Sequence, residues 1–132
     1  MKISIFRFFV TLILFQNIAC SVHEISDKKK YKEENYYEEC LAILTNTTNN
    51  SLSDSLASRA LGLADKCIMI NPNVSKYYRV KGTALIHKND YSNAVNSFDR
   101  AIELDSTNFL AWMGRGLVHK NLKDFIKANK VF

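Results

Sequence analysis

Three cysteines and three histidines are the side chains best suited to covalent or metal chemistry in this sequence, and their spacing limits what they can do. His23, His87 and His119 stand far apart, and none sits in an HExxH, CxxC or carboxylate-flanked pattern that would close a zinc shell. No GxSxG, Walker or GxGxxG sequence occurs. Asp99 and Glu103 fall on the exposed side of a helical pattern, so paired-carboxylate catalysis has no cleft to work in. The expectation is a protein without catalytic, metal or cofactor chemistry of its own. Cys20 differs in context, because it closes the run MKISIFRFFVTLILFQNIAC.

That run has a short basic start, Lys2 and Arg7, and an apolar centre from Phe8 to Phe15. The centre rises only about 12 Å as a helix, against a hydrocarbon core of about 30 Å. Residues 1–19 therefore read as an export signal peptide. Its end, Ile18-Ala19-Cys20-Ser21, resembles the bacterial lipobox, whose cysteine is acylated and becomes the new N-terminus; Asn17 stands where that family carries an aliphatic residue. The resemblance implies lipidation of Cys20, with palmitate among three acyl chains. Each buried CH₂ contributes about 0.8 kcal/mol, so three chains would make the anchor effectively permanent. Ser21 is not the Asp that retains enteric lipoproteins in the inner membrane, which directs the expectation to the outer membrane, facing the periplasm. The same residues also fit ordinary secretory cleavage, which would release a secreted protein, and an uncleaved anchor is a third reading.

Residues 20–34 follow as a polar, charged tether, SVHEISDKKKYKEE after the cysteine, with no apolar periodicity. Fully extended, its fourteen residues reach at most about 50 Å. Beyond Cys20, removing Lys2 and Arg7 leaves 16 basic against 13 acidic residues, a net +3. That balance, with no basic run interleaved with aromatics, argues against nucleic acid as a partner. Four Gly and one Pro in 132 residues disfavour a turn-rich β-sandwich and favour helices.

A repeat organises the remainder. Tyr91, Ala94, Val95, Phe98, Ala101 and Ile102 have the spacing of one helix face. Thirty-four residues earlier stand Ala57, Ala60, Leu61, Ala64, Cys67 and Ile68, all small or apolar, and 34 later come Phe125, Ala128, Asn129 and Phe132. Gly82 matches Gly116, Asp90 matches Asp124, and Ile70-Asn71-Pro72 matches Leu104-Asp105-Ser106 at the same offset. Asn108 is the expected N-cap of the helix that follows.

Here the chain resembles the tetratricopeptide (TPR) family, whose 34-residue unit is a helix–turn–helix. The central unit, 75–108, carries Tyr78, Gly82, Ala94, Phe98 and Ala101 at the family's packing positions. The unit 109–132 carries Trp112, Gly116, Ala128 and Phe132, is incomplete, and should turn at Asp124-Phe125. The unit 35–74 is degenerate: its first helix, roughly Glu34 to Leu44, is displaced about seven residues by the polar loop that opens TNTTNNSLSDS. The resemblance implies an all-α domain over 35–132, a short right-handed solenoid in which Gly82 faces Ala94 and Gly116 faces Ala128. Lys81 and Arg115 replace the family's leucine and should loosen each pair, their stems snorkelling outward. The chain stops inside a helix, so it is either truncated or covered there by another surface, including a second copy.

The resemblance also supplies the candidate site. TPR domains bind extended peptides or helices on the face lined by the first helix of each unit. Carried across by register, that groove holds Arg79, Thr83, Ile86 and His87, then Met113, Leu117, Lys120 and Asn121. An apolar groove edged by basic residues fits an apolar segment with acidic flanks. Lys120, Lys123, Lys127 and Lys130 form a basic cluster that reads as a solvated face, with an acidic or membrane contact as the alternative. Cys40 and Cys67 either form a disulfide or stay as buried thiols; the register sets them about two helical turns apart, beyond the reach of about 7 Å. The function this implies is a lipid-anchored, non-enzymatic adaptor for an unidentified envelope protein or peptide. The other reading is a self-associating structural repeat, possibly a fragment.

Overall fold

Helix starts and stops follow the capping residues, and they recur with the repeat. The computed structural model describes residues 2–46 and 52–129, with side chains at 9–46 and 52–123. It contains α1 (Lys2–Thr45), α2 (Asp54–Ile70), α3 (Ser75–His87), α4 (Tyr91–Leu104) and α5 (Phe109–Asn129). Ser53 caps α2 by accepting from Leu56 N at 3.3 Å, and Asp90 caps α4 by accepting from Asn93 N at 3.3 Å. Asn108 caps α5, its Oδ1 accepting from Ala111 N at 3.2 Å, as expected from the sequence. α2 ends at Asn71 and α4 at Asp105, each extended, and each side chain accepts a backbone N–H two residues on. Tyr78 Oη donates to Pro72 O and Trp112 Nε1 to Ser106 O, both at 3.0 Å and exactly one repeat apart in sequence.

The chain divides into two compact units, Met1–Lys32 and Glu33–Phe132. In the first, the polar stretch after Cys20 is helical, although no apolar periodicity marks it in the sequence. The pairs His23–Asp27 (3.4 Å) and Glu24–Lys28 (2.6 Å), each one helical turn apart, support the helix without any apolar face. Fourteen helical residues span about 21 Å, less than half the extended reach.

The second unit has two joined cores. Tyr37, Cys40, Ala60, Ala64, Cys67, Tyr77 and Val80 are among those closing the first, where the end of α1 meets α2 and α3. Leu85, Ala94, Phe98, Ala101, Ala111 and Val118 close the second, between α3, α4 and α5. Leu61 packs against both. The first helix of the degenerate unit is displaced by one position more than expected. Tyr36, Cys40 and Ile43 precede Tyr78, Gly82 and Leu85 by one common interval, longer than the repeat. Cys40 thus takes the glycine's place, its thiol donating to Ala60 O at 3.3 Å. Part of the loop expected ahead of α2, residues 47–51, lies outside the described residues.

Phe98 corrects the expected glycine contacts. A Cβ on Gly82 would stand 2.8 Å from the Phe98 ring, so the ring, not Ala94, is its closest neighbour. A Cβ on Gly114 would stand 2.4 Å from the same ring, whereas one on Gly116 would meet nothing within 4 Å. Gly114 is therefore the tight glycine, hidden from the repeat comparison because Val80 occupies the matching position. Ala128, the expected partner of Gly116, has its side chain outside the described residues, as does all of Phe132.

The turn expected at Asp124 is absent, and α5 runs on to Asn129. The α3–α4 turn shows why. Asn89 adopts φ 58°, with Asn89 N–H donating to Ile86 O and Asp90 N–H to Leu85 O, a Schellman stop. The matching residue is Lys123, for which the left-handed conformation costs roughly 1–2 kcal/mol.

Lys81 and Arg115 do send their charges outward. Lys81 Nζ lies 2.8 Å from Asp65 and Arg115 Nε 2.7 Å from Asp99, the second pair repeating the first in the next unit. The Arg115 Nε–H is not aimed at the carboxylate, so that contact is electrostatic and not a hydrogen bond. Both pairs are half-exposed and contribute at most about 1 kcal/mol each, while linking the second helix of one unit to the first of the next.

Alanine substitutions distinguish the glycines. Gly114→Ala and Gly82→Ala should each lower unfolding free energy by about 1–3 kcal/mol through overpacking against Phe98. Gly116→Ala should raise it by about 0.5–1 kcal/mol, the helix-interior glycine penalty. Urea titration followed by circular dichroism measures both.

Candidate functional site

The candidate groove residues occupy successive turns of α3 and α5, which lie side by side in the second unit. On α3, Arg79, Thr83, Ile86 and His87 are all half-buried. Thr83 Oγ1 donates to Arg79 O at 3.1 Å, and Ile86 leans on the second core, so neither is wholly free for a partner. On α5, Met113 is 55% exposed and Leu117 49%, Lys120 is exposed and Asn121 half-buried. The available apolar surface is therefore on α5, and the charged edge is on α3.

Two members of this face escaped the sequence reading. Tyr37, on α1, accepts a hydrogen bond from Arg79 Nη2 at 3.1 Å, and Lys76 Nζ lies 4.2 Å from the centre of its ring. The Tyr37 and Tyr77 rings are 5.6 Å apart at 56°, and Tyr77 Oη donates to Glu33 Oε1. Burial, reinforced by the Glu33 hydrogen bond, pushes the Tyr77 phenol up. The displaced register of α1 was the available signal, because it sets Tyr37 level with Arg79. Lys76 and Arg79 both rest on aromatic groups, with no carboxylate in ion-pair range among the described residues.

Cys40 and Cys67 are free, buried thiols in this structure. Burial pushes Cys40 up to about 12 and Cys67 up to about 11. Cys67 donates to Glu33 O at 3.6 Å. A thiolate is the reactive form, so neither group is prepared for nucleophilic work. Among the described residues no cluster of three His, Cys, Asp or Glu could hold a metal. A cleft of about 480 Å³ on the α2–α4 side is lined by Leu61, Tyr78, Leu85 and the charges of Asp65, Lys81 and Arg100, among others.

Thiol chemistry tests this arrangement. In a Cys20→Ser background, a disulfide-exchange reagent at pH 8 should find no reactive thiol in the native protein and two in denaturant. Raised thiol pKa values stabilise the fold below pH 9 and lose that contribution as pH climbs through 11 to 12. The urea midpoint should therefore hold up to about pH 9 and fall above it, less steeply in Cys40→Ala.

Comparison with known proteins agrees with this geometry. The family model described as TPR repeat matches residues 82–123, which covers α3 from Gly82, all of α4 and most of α5. The chain is 38% identical over 63 residues, 48% of its length, to Heat shock protein STI1 of Saccharomyces cerevisiae. It spans only 11% of that relative's length. No solved structure matches significantly. Residues 82–123 hold a TPR repeat, and the described residues form an all-α fold without strands, consistent with a short TPR-like solenoid.

Proposed function

We propose that the chain is a lipid-anchored adaptor of the bacterial cell envelope that captures a segment of another protein on the face shared by α3 and α5. One observation carries this reading: Met113 and Leu117 stand exposed on α5, which packs against α3, and α3 carries Lys76 and Arg79, whose charges no carboxylate among the described residues answers. Such a face fits an apolar segment with acidic flanks, in extended or helical form. TPR repeats generally serve as non-catalytic interaction modules.

The anchor rests on Cys20 and the segment before it. From Phe9 onward, α1 is long and apolar enough by length and composition to cross a membrane, a property that export signals share. Cleavage before Cys20 would place the acylated cysteine at the start of the mature chain, at the outer membrane facing the periplasm. Secretion without lipid is the alternative location. A self-associating structural repeat is the second functional reading; Phe109 and Trp112 are exposed on α5 among the described residues.

Cross-linking and pulldown from membranes should recover one protein partner, and Arg79→Ala with Met113→Ala should weaken its capture at least about tenfold. Unchanged capture would refute the face assigned here. Radiolabelled palmitate should enter the wild type and not Cys20→Ser; an unlabelled wild type would remove the lipid anchor from the account.

A further inference from the structure

Charges of opposite sign separate around α1 just beyond Cys20. At about 100° per residue, Val22, Ile25, Lys29 and Lys32 fall within about 80° of one another. All four are exposed, Val22 at 60% and Ile25 at 66%. Asp27 lies on the opposite side of the helix, and Glu24 is turned about 120° from the middle of this one, where it holds Lys28 at 2.6 Å. Glu33, next along the helix, accepts from the Tyr77 hydroxyl. Lys29 and Lys32 make no ion pair among the described residues. Two apolar residues set no period in the sequence, yet the lysines that follow them at an interval of seven continue the same side.

We infer that this side of α1 lies against a membrane surface bearing anionic phospholipid headgroups, with Val22 and Ile25 at the acyl boundary and Lys28, Lys29 and Lys32 on the phosphates. A helix lying in the interface has this arrangement: apolar residues below, lysine stems running up beside them to the headgroups, and acids turned to water. Position along the chain argues the same way. Lys29 follows Cys20 by only about 14 Å of helix, and acyl chains on that cysteine hold the segment at the headgroups. In the uncleaved chain the apolar run from Phe9 delivers the segment to the same place. A second copy is a poorer occupant, since in-register pairing would set Lys29 against Lys29 and Lys32 against Lys32. The inference rests on the anchor proposed above and makes the segment after Cys20 a second membrane contact.

Trp112 is the chain's single tryptophan, so Ile25→Trp in a Trp112→Phe background gives one reporter at the contact. The full chain, purified from membranes, is reconstituted in phosphatidylcholine vesicles with and without phosphatidylglycerol, brominated on the acyl chains. The reporter should be quenched and blue-shifted in anionic vesicles at low salt, and released in neutral vesicles or at high salt. Lys29→Gln should lower the ratio of docked to free segment about fivefold, whereas Lys30→Gln, the same loss of charge on another side of the helix, should change it far less. Equal quenching in neutral vesicles would overturn the recognition of anionic headgroups, and equal effects of the two lysine changes would overturn the side assigned. A chain that floats with the vesicles while its reporter stays unquenched would overturn the inference and leave the anchor standing. A chain that does not float would remove both.

Discussion

The ring of Phe98 between two glycines is the contact on which the rest of the second unit depends. It is 1% exposed, on α4, and both α3 and α5 approach it with a residue that has no side chain. A single benzyl group therefore sets the spacing on both sides of α4, first within its own repeat and then to the next. Packing at interior density leaves no slack for even one methyl group there. Because α3 and α5 are both positioned from this ring, so is the face they share. Met113 and Leu117 are exposed on α5, and Arg79 on α3 reaches Tyr37 of α1.

Most of this was legible because repetition turns one physical solution into several sequence matches. The boundary of α4 at Leu104, the Asn108 cap and the burial of Ala94, Phe98 and Ala101 all follow from the repeat interval. Other features were not legible, each for a local reason. Gly114 is tight through a contact with the previous repeat, and its sequence counterpart is Val80, so no periodic comparison finds it. The turn after α5 requires a left-handed residue, and Lys123 lacks the short polar side chain that makes Asn89 tolerant of it. Tyr37 was lost to an interval longer than the repeat, created by extra loop between the helices of the degenerate unit. The polar stretch after Cys20 showed no helical period because its helix carries polar pairs one turn apart, such as Glu24–Lys28, which leave no apolar stripe to read.

The departures from the family pattern have compensations of their own. Lys81 and Arg115 give up apolar burial and gain Asp65 and Asp99 across the repeat boundary, so the solenoid is joined by charge where a leucine would have packed. Cys40 stands where the next unit has Gly82 and satisfies its thiol on Ala60 O. With Cys67 buried nearby in the same core, an oxidising compartment has little access to either sulfur. The face proposed for binding is thus a small remainder, on which Lys76, Arg79, Met113 and Leu117 have no ion-pair partner and no place in either core among the described residues.

Photo-cross-linking from two positions tests the central claim most directly. A photoreactive amino acid placed at exposed Leu117, on α5, should trap a partner protein in intact membranes. The same group at exposed Asn96, on α4, should not. An adduct from position 96 with none from 117 would contradict the account, because the partner would then lie on the other side of the solenoid.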